Sequence, residues 1–306
     1  MITAIFNKSK PINLVFVALV LFFSFCIVKL QTGDLLNWTD FFYNLLQLGA
    51  AILSVLLVDF IVKKNSISEQ NSFVILFFSL FFFCFWSGAD TGDLMFSNVF
   101  VLLALRKIIS LKTQTNTTQK IFDASLWLCV AVLFYFWAIL FFVVLYIGIA
   151  LYVSDYYKNW LVPFVGVFTV FTIVLGYEML MHQQFYQFEN TAITRGFQEI
   201  NTTKDITILT FFLLILLVSL FFLSASVKTK LQKNKMSYVI LLFTLLVALI
   251  IVILAPNKSV SMLLFGYFPL AALFSVFFEK IAKDHIQSII IFTLLIASVF
   301  LSLFSI

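Results

Sequence analysis

The side chains in this sequence that could do chemistry are acids in the polar segments between long apolar stretches. Asp34 and Asp40 lie in the first such segment, where a carboxylate could act as a general acid or base. Asp90 and Asp93 are three residues apart in another segment, and two carboxylates at this spacing could hold a divalent cation. All four could instead shape a turn or cap the helix that follows, because a helix N-terminus favours negative charge. Capping is the favoured interpretation, and catalysis at Asp34 or Asp40 and metal binding at Asp90 and Asp93 are the functional alternatives.

A further polar segment, residues 181–205, contains His182 and Arg195. Glu178 lies at its edge, inside an apolar stretch. An ionisable group in lipid is costly unless it faces a cavity or finds a partner. Glu178 and Arg195 are therefore predicted either to bind a substrate or to form a structural ion pair.

The sequence disfavours two kinds of site, a metal site with histidine ligands and a nucleotide-binding site. The chain has two histidines, His182 and His285, which the charge pattern described below places on opposite sides of a membrane. One metal ion cannot use both, which argues against a histidine-ligated iron or zinc enzyme. The sequence also contains no phosphate-binding loop, dinucleotide fingerprint, HExxH or GxSxG motif.

The composition indicates that lipid is the solvent of this chain. Of the 306 residues, 63% are hydrophobic and 11% are charged, against roughly 25% charged in a soluble domain. The net charge of +5 is scattered over short loops and forms no basic face of the kind that nucleic acid requires. The three cysteines lie in apolar stretches without CxxC spacing and predict no disulfide.

Phenylalanine is abundant, with 41 residues. The functional interpretation is an aromatic, lipid-like binding cavity. The favoured one is codon bias, because Phe, Ile, Lys and Asn have AT-rich codons and the chain has 17 Lys against two Arg. This indicates a low-GC bacterium.

The apolar stretches predict an all-α, polytopic transmembrane bundle of about eleven spans (ten to eleven) in one membrane domain, residues 1–306. Their length and the lack of period-2 alternation favour helices over barrel strands. The first span follows Lys8 and Lys10 and is predicted to be a signal anchor. The predicted spans are 12–30, 41–62, 72–87, 94–111, 122–136, 138–153, 161–180, 206–226, 238–254, 260–278 and 286–304.

The loop charges set the predicted orientation. Basic loops face the cytoplasm in inner-membrane proteins, so the N-terminus is predicted inside and the C-terminus in the periplasm. Residues 121–153 decide the count, because as one helix they would be about 50 Å long against a hydrocarbon core of about 30 Å. A hairpin turning near residues 135–137 leaves fifteen of the nineteen Lys and Arg inside. One long tilted helix is the alternative.

Two pairings are predicted on the cytoplasmic side. Asp59 and Lys63 are four residues apart on one helix, the spacing of an intrahelical ion pair. Asp123 is close in sequence to Lys120 and could pair with it or cap the hairpin.

Two segments carry a family resemblance. The opening MITAIFNKSKPIN, residues 1–13, and SNVFVLLALRKI, residues 97–108, resemble an uncharacterised family of polytopic inner-membrane proteins from Flavobacterium-like Bacteroidota. The likeness runs along the whole chain. It implies a location and an organism class and assigns no activity.

A second likeness concerns layout. The hairpin within residues 126–153, the basic loop around Lys158 and the stretch 161–164 are similar to the middle of C-type glycosyltransferases, which transfer sugars from polyprenyl-phosphate donors. This resemblance implies a catalytic acid at Asp34 or Asp40 and metal ligands at Asp90 and Asp93. The chain departs from that family in its short first outer loop and in lacking a large outer C-terminal domain. Among arginines only Arg195 is predicted outside, so a diphosphate clamp would use Lys29, Lys204 or Lys258.

Three functions follow, in order of preference. The first is a non-enzymatic membrane subunit or scaffold of an envelope assembly in the bacterial inner membrane. The alternative is an outward-facing glycosyltransferase or polymerase that uses a lipid-linked sugar, and only this alternative implies a cofactor, a divalent cation. The third is a transporter, which would use polar or helix-breaking residues at mid-membrane: Asn44, Gln47, Pro163 and Pro269. The expected partners are the lipid bilayer, a membrane-protein complex and, for the alternative, a polyprenyl-linked substrate; nucleic acid is excluded.

Overall fold

A computed structural model describes residues 5–32, 38–69, 71–85, 92–183, 185–188, 191–193, 203–226, 235–256, 258–281 and 284–303. Residues 5–6 are helical, and eleven longer α-helices follow, with 3-10 turns at Ser110–Thr113, Phe136–Leu140 and Val260–Leu263; the described part contains no strand. The helices are α1 Pro11–Thr32, α2 Trp38–Asn65, α3 Phe73–Phe85, α4 Gly92–Ile109, α5 Thr117–Phe134, α6 Phe141–Tyr152, α7 Tyr157–Met181, α8 Thr203–Ser226, α9 Lys235–Leu254, α10 Leu264–Glu279 and α11 Asp284–Leu303.

Each predicted span coincides with one helix, so the all-α prediction is confirmed for the described residues. Six helices there are long and apolar enough to cross a membrane: α2, α4 with its 3-10 turn, α5, α7, α9, and α10 with its 3-10 turn. The protein is therefore a helical protein with membrane-spanning potential in at least these segments.

The apolar run 121–153 is broken, and the alternative of one long helix is wrong. Helix α5 ends at Phe134, Tyr135 adopts an extended conformation (φ −147°, ψ 107°), and a 3-10 turn leads into α6. Helix α6 then runs back toward the start of α5. Its end lies beside the segment that precedes α5, as shown by the hydrogen bond from the side-chain amide of Gln114 to the carbonyl of Tyr152 at 3.1 Å. The predicted hairpin near residues 135–137 is thus present, although no Gly or Pro marks its turn.

The centre of the bundle is a seam of phenylalanines between α3 and α10. Phe73, Phe77 and Phe81 follow one another at four-residue spacing, and their rings stack with centroids 6.4–6.5 Å apart. Phe274 and Phe278 of α10 meet them edge-on at centroid distances from 4.8 Å. Helix α10, with its preceding 3-10 turn, is the most enclosed of the six candidate spans, because 94% of its most apolar 18-residue stretch is buried.

Helix α7 lies at the periphery. Only 11% of its most apolar 18-residue stretch is buried in the protein, and the helix packs mainly on α5. The two helices cross closely at Gly166, where an added Cβ would overlap the hydroxyl of Ser125. Small residues allow such close approach between membrane helices. The remaining surface of α7 is largely exposed and apolar.

Hydrogen bonds and ring contacts divide the described helix ends into two groups, the basic end and the far end. The basic end is formed by residues 6–13, 59–69, 71–73, 106–123, 152–160, 235–238, 278–281 and 284–287. The far end is formed by residues 41–47, 92–97, 131–141, 178–183, 185–188 and 258–268.

Candidate functional site

The far end holds the predicted catalytic and metal-binding acids that the structure describes. Asp40 belongs to the first turn of α2 and Asp93 to the first turn of α4, where Asp93 is exposed. Both positions are those at which a helix N-terminus stabilises negative charge. Asp34, Asp90 and Arg195 lie outside the described residues, so the catalytic, metal-binding and substrate-binding assignments stay predictions.

A buried amide lies beside the start of α4. Gln47 of α2 is 2% exposed, and its Oε1 has no hydrogen-bond partner among the described residues. A Cβ added to Gly92 would overlap the Tyr43 hydroxyl and lie 2.8 Å from Nε2 of Gln47, so a larger residue would require these side chains to move. Gly92 directly precedes Asp93 in the first turn of α4. The one signal for this amide at the level of the sequence is a Gln inside an apolar stretch.

Glu178 pairs with His182 in the described part of the chain. The carboxylate Oε2 lies 2.9 Å from Nδ1 of His182, the residue that caps the C-terminus of α7. The imidazole is 58% exposed, so the pair faces the outside of the bundle. The predicted partner, Arg195, is not among the described residues. The spacing of four between Glu178 and His182 was visible in the sequence.

The transferase resemblance also implies a cationic clamp for a diphosphate. Of its three candidate lysines, Lys258 is the one whose side chain the structure describes, and it is only 3% exposed. Within the described residues, no group of three or more His, Cys, Asp or Glu could hold a metal ion.

The most extensive polar network among the described residues lies at the basic end and was not predicted. Oε1 of Glu279, the last residue of α10, accepts hydrogen bonds from the Ser68 hydroxyl at 2.6 Å and the Asn71 amide at 2.7 Å. The backbone N–H of Glu69 donates to the same oxygen at 3.3 Å. One carboxylate thus joins the α2–α3 loop to α10, more than 200 residues away. No sequence pattern could reveal this pairing.

Other hydrogen bonds extend this network across the bundle. The Tyr238 hydroxyl of α9 donates to the carbonyl of Ile67, and the hydroxyls of Tyr152 and Ser237 are 3.2 Å apart. Near the N-terminus, the amide of Asn13 donates to the Ser72 hydroxyl at 3.0 Å. The first and last thirds of the chain are therefore tied together at this end.

Basic side chains surround the network. Lys63 pairs with Asp59 at 2.7 Å, as predicted. Asp123 pairs with Lys107 at 2.6 Å rather than with Lys120, because α4 packs antiparallel to α5 and brings Lys107 opposite. Eleven basic residues of the described chain belong to this end: Lys8, Lys10, Lys63, Lys64, Arg106, Lys107, Lys112, Lys120, Lys158, Lys235 and Lys280. Its chemistry is attraction of anions.

Two open grooves cut the surface. One, of about 730 Å³, separates the first turns of α5 from α7 at the basic end. The other, of about 300 Å³, lies between α8 and α11 and is lined by Thr207, Thr210, Phe211, Leu214, Ala297 and Phe300.

Comparison with known families adds a name for the group. Residues 5–306 match the model of a family described as "Family of unknown function (DUF6427)". The chain belongs to this family. The match covers nearly all of the chain. The family carries no assigned activity, and neither a curated protein nor a solved structure matches the chain.

Proposed function

We propose that this DUF6427 protein is a multi-pass inner-membrane protein of a low-GC bacterium of the Bacteroidota, with a structural role. It serves as a non-enzymatic membrane subunit, or scaffold, of an envelope assembly. It works without a cofactor, and its partners are the bilayer and another membrane protein.

The observation that carries this proposal is the polar network around Glu279. Hydrogen bonds here join distant segments of the chain at the face where eleven Lys and Arg of the described residues lie. Such a face suits the docking of an acidic partner, because complementary charge speeds encounter and fixes register.

The proposed topology has eleven crossings, with the N-terminus in the cytoplasm and the C-terminus in the periplasm. The basic end faces the cytoplasm under the positive-inside rule. The shortest described crossing is α3, Phe73–Phe85, which rises about 20 Å and is enclosed by other helices. Another short crossing is α6 with its preceding 3-10 turn, residues 136–152. Together they rise about 28 Å, close to a hydrocarbon core of about 30 Å.

Native-state mass measurement tests the assembly. The protein, tagged and extracted mildly from its own membranes, is expected to migrate with a partner at fixed stoichiometry. Reversing charge at the basic end (Lys8→Glu, Lys10→Glu and Lys64→Glu together) should weaken retention of that partner. Gln187→Glu, at the far end, is the matched control and should not. A protein that runs as a monomer without any stoichiometric partner contradicts the proposal.

A second candidate, sugar transfer from a polyprenyl-phosphate donor at the far end, is favoured by one observation. The buried amide of Gln47, whose Oε1 has no hydrogen-bond partner among the described residues, packs against Gly92, the residue before Asp93. In this alternative Asp34 or Asp40 is the catalytic acid, Asp90 and Asp93 bind a divalent cation, and Glu178 and Arg195 contact the substrate. Calorimetry with Mn²⁺ tests it. Binding that is lost in Asp93→Asn but kept in Asp205→Asn, an acid in the first turn of α8, supports the site; no binding by the wild type rejects it.

A further inference from the structure

The groove between α5 and α7 has one polar and one apolar side. Its polar side is the start of α5, and its apolar side combines a phenylalanine of α5 with two valines of α7. The lining residues are Asn116, Thr117, Thr118, Gln119, Phe122, Val162 and Val165. A water-soluble ligand would match only half of this lining.

Backbone donors open on the polar side. Asn116 precedes α5 in a left-handed conformation (φ 48°), and its side chain makes no capping hydrogen bond. The N–H groups of Thr117, Thr118 and Gln119 belong to the first turn, which has no intrahelical acceptors. The structure gives them no other acceptor within the described part. Together with the helix dipole, these donors favour an anion, and they do so at the edge of a cavity.

A cation stands next to the same groove. Helices α5 and α7 run in the same direction, because Ser125 meets Gly166 while Phe122 and Val162 line the groove together. Lys158 lies one turn before Val162 on α7, at the basic end. Its side chain is exposed and forms no ion pair or hydrogen bond with the residues that the structure describes.

The apolar side continues along the outside of the bundle. Beyond Val165, α7 extends for about 24 Å to Met181. Phe168 is 70% exposed and Phe171 56% exposed on this stretch. A hydrocarbon chain that leaves the groove here can lie on protein surface and remain in the hydrocarbon layer.

We propose that this groove binds an anionic phospholipid from the leaflet at the basic end. The phosphate contacts the free N–H groups of the first turn of α5 and the ammonium of Lys158. One acyl chain lies against Phe122, Val162 and Val165. The site requires a bundle in a membrane, and it does not depend on an assembly partner.

Native mass spectrometry of the full chain tests this site. The protein is exchanged into micelles doped with dioleoylphosphatidylglycerol or with dioleoylphosphatidylcholine, which have the same acyl chains. Wild type is expected to retain one phosphatidylglycerol in preference to phosphatidylcholine. Lys158→Gln should reduce this preference about fivefold, the effect of one basic residue near an anionic lipid surface. Val165→Trp, which fills the groove, should reduce retention of both lipids about tenfold.

Two control variants make the result specific. Lys10→Gln removes a cation from the same end, and Val167→Trp adds the same bulk to the exposed side of α7; both should behave as wild type. Thermal unfolding shows whether each variant is folded. Equal retention of the two lipids by wild type overturns the proposal, as does an equal effect of Val165→Trp and Val167→Trp. Displacement of the lipid by millimolar inorganic phosphate assigns the site to a soluble anion and also overturns it.

Discussion

Two glutamates of this protein, Glu279 and Glu178, differ in how many partners they have and in how much they are expected to stabilise the fold. Glu279 accepts three hydrogen bonds at the basic end. The donors are the Ser68 hydroxyl, the backbone N–H of Glu69 and the side-chain amide of Asn71, which is buried. Glu178 has one described partner, His182, which is largely exposed. The part-buried carboxylate of Glu279 should contribute more than the exposed pair, because its removal leaves several donors without a partner.

Removing the Glu279 carboxylate should therefore destabilise the protein. Glu279→Ala is expected to lower the free energy of unfolding by about 3 kcal/mol, because the Ser68 and Asn71 donors lose their acceptor. Glu279→Gln keeps an acceptor oxygen and should cost about 1 kcal/mol. Reversible unfolding in mixed SDS micelles measures both.

Glu178→Ala is the matched control for these two variants. It should change the free energy of unfolding by about 0.5 kcal/mol or less, because its pair with His182 is at the surface. An equal loss for Glu178→Ala and Glu279→Ala would show that the network at the basic end adds no stability.

Sequence reasoning at the residue scale works for local pairs. The Asp59–Lys63 pair follows from spacing alone, and the Glu178–His182 pair could have been found in the same way. The Glu279 network could not, since Ser68 and Asn71 are far away in the chain and only the tertiary fold brings them together. The same holds for Lys107 and Asp123, which require α4 and α5 to lie side by side.

At the scale of helices, alanine substitutions at two glycines of α7 distinguish the effect of helix packing from that of helix propensity. Gly166 meets Ser125, and an added Cβ there would overlap its hydroxyl, whereas a Cβ on Gly176 has nothing within 4 Å. Both lie inside the same helix, so any intrinsic gain from alanine is shared.

Gly166→Ala should lower the free energy of unfolding by about 1–3 kcal/mol, because the close crossing with α5 must open. Gly176→Ala should leave it unchanged or raise it by up to about 1 kcal/mol. Combining Gly166→Ala with Ser125→Gly should recover most of the loss. Unfolding in SDS gives all three values, and equal effects of the two alanine variants would contradict the close α5–α7 crossing.

The phenylalanine seam gives a second prediction at this scale. Phe77 is fully buried among Phe73, Phe274 and Phe278. Phe77→Ala should cost about 3–5 kcal/mol through the cavity it leaves. Phe168→Ala, on the exposed side of α7, should stay within about 0.5 kcal/mol. If both variants unfold alike, α3 and α10 are not the core.

The helices themselves were largely predictable, because long apolar runs between charged loops leave few alternatives. The hairpin in residues 121–153 followed from its length and from the charges of later loops. The position of the turn had no local signal. Tyr135 is extended where its ring stacks on Phe265, 130 residues away. The position of the Gln47 side chain could not be predicted from the sequence either, since its contact with Gly92 depends on how α2 and α4 cross.

For the whole molecule, the charge pattern is the feature that sequence and structure share. Eleven Lys and Arg of the described chain meet at one end, whereas the described far end carries Asp93, the Glu178–His182 pair and one buried lysine, Lys258. A bundle with this asymmetry has one favoured orientation in a membrane, because basic loops resist translocation. The proposed phospholipid site lies at the same end, where the leaflet supplies the headgroups.

Cysteine labelling of intact spheroplasts tests this orientation most directly. Single cysteines at Lys158, Lys235, Gln187 and Ala192 are introduced after Cys26, Cys84 and Cys129 are replaced by serine. A membrane-impermeant maleimide should label positions 187 and 192 in intact cells and positions 158 and 235 only after permeabilisation. Labelling of position 158 or 235 from outside would show that the basic end does not face the cytoplasm, and the proposed topology would be wrong.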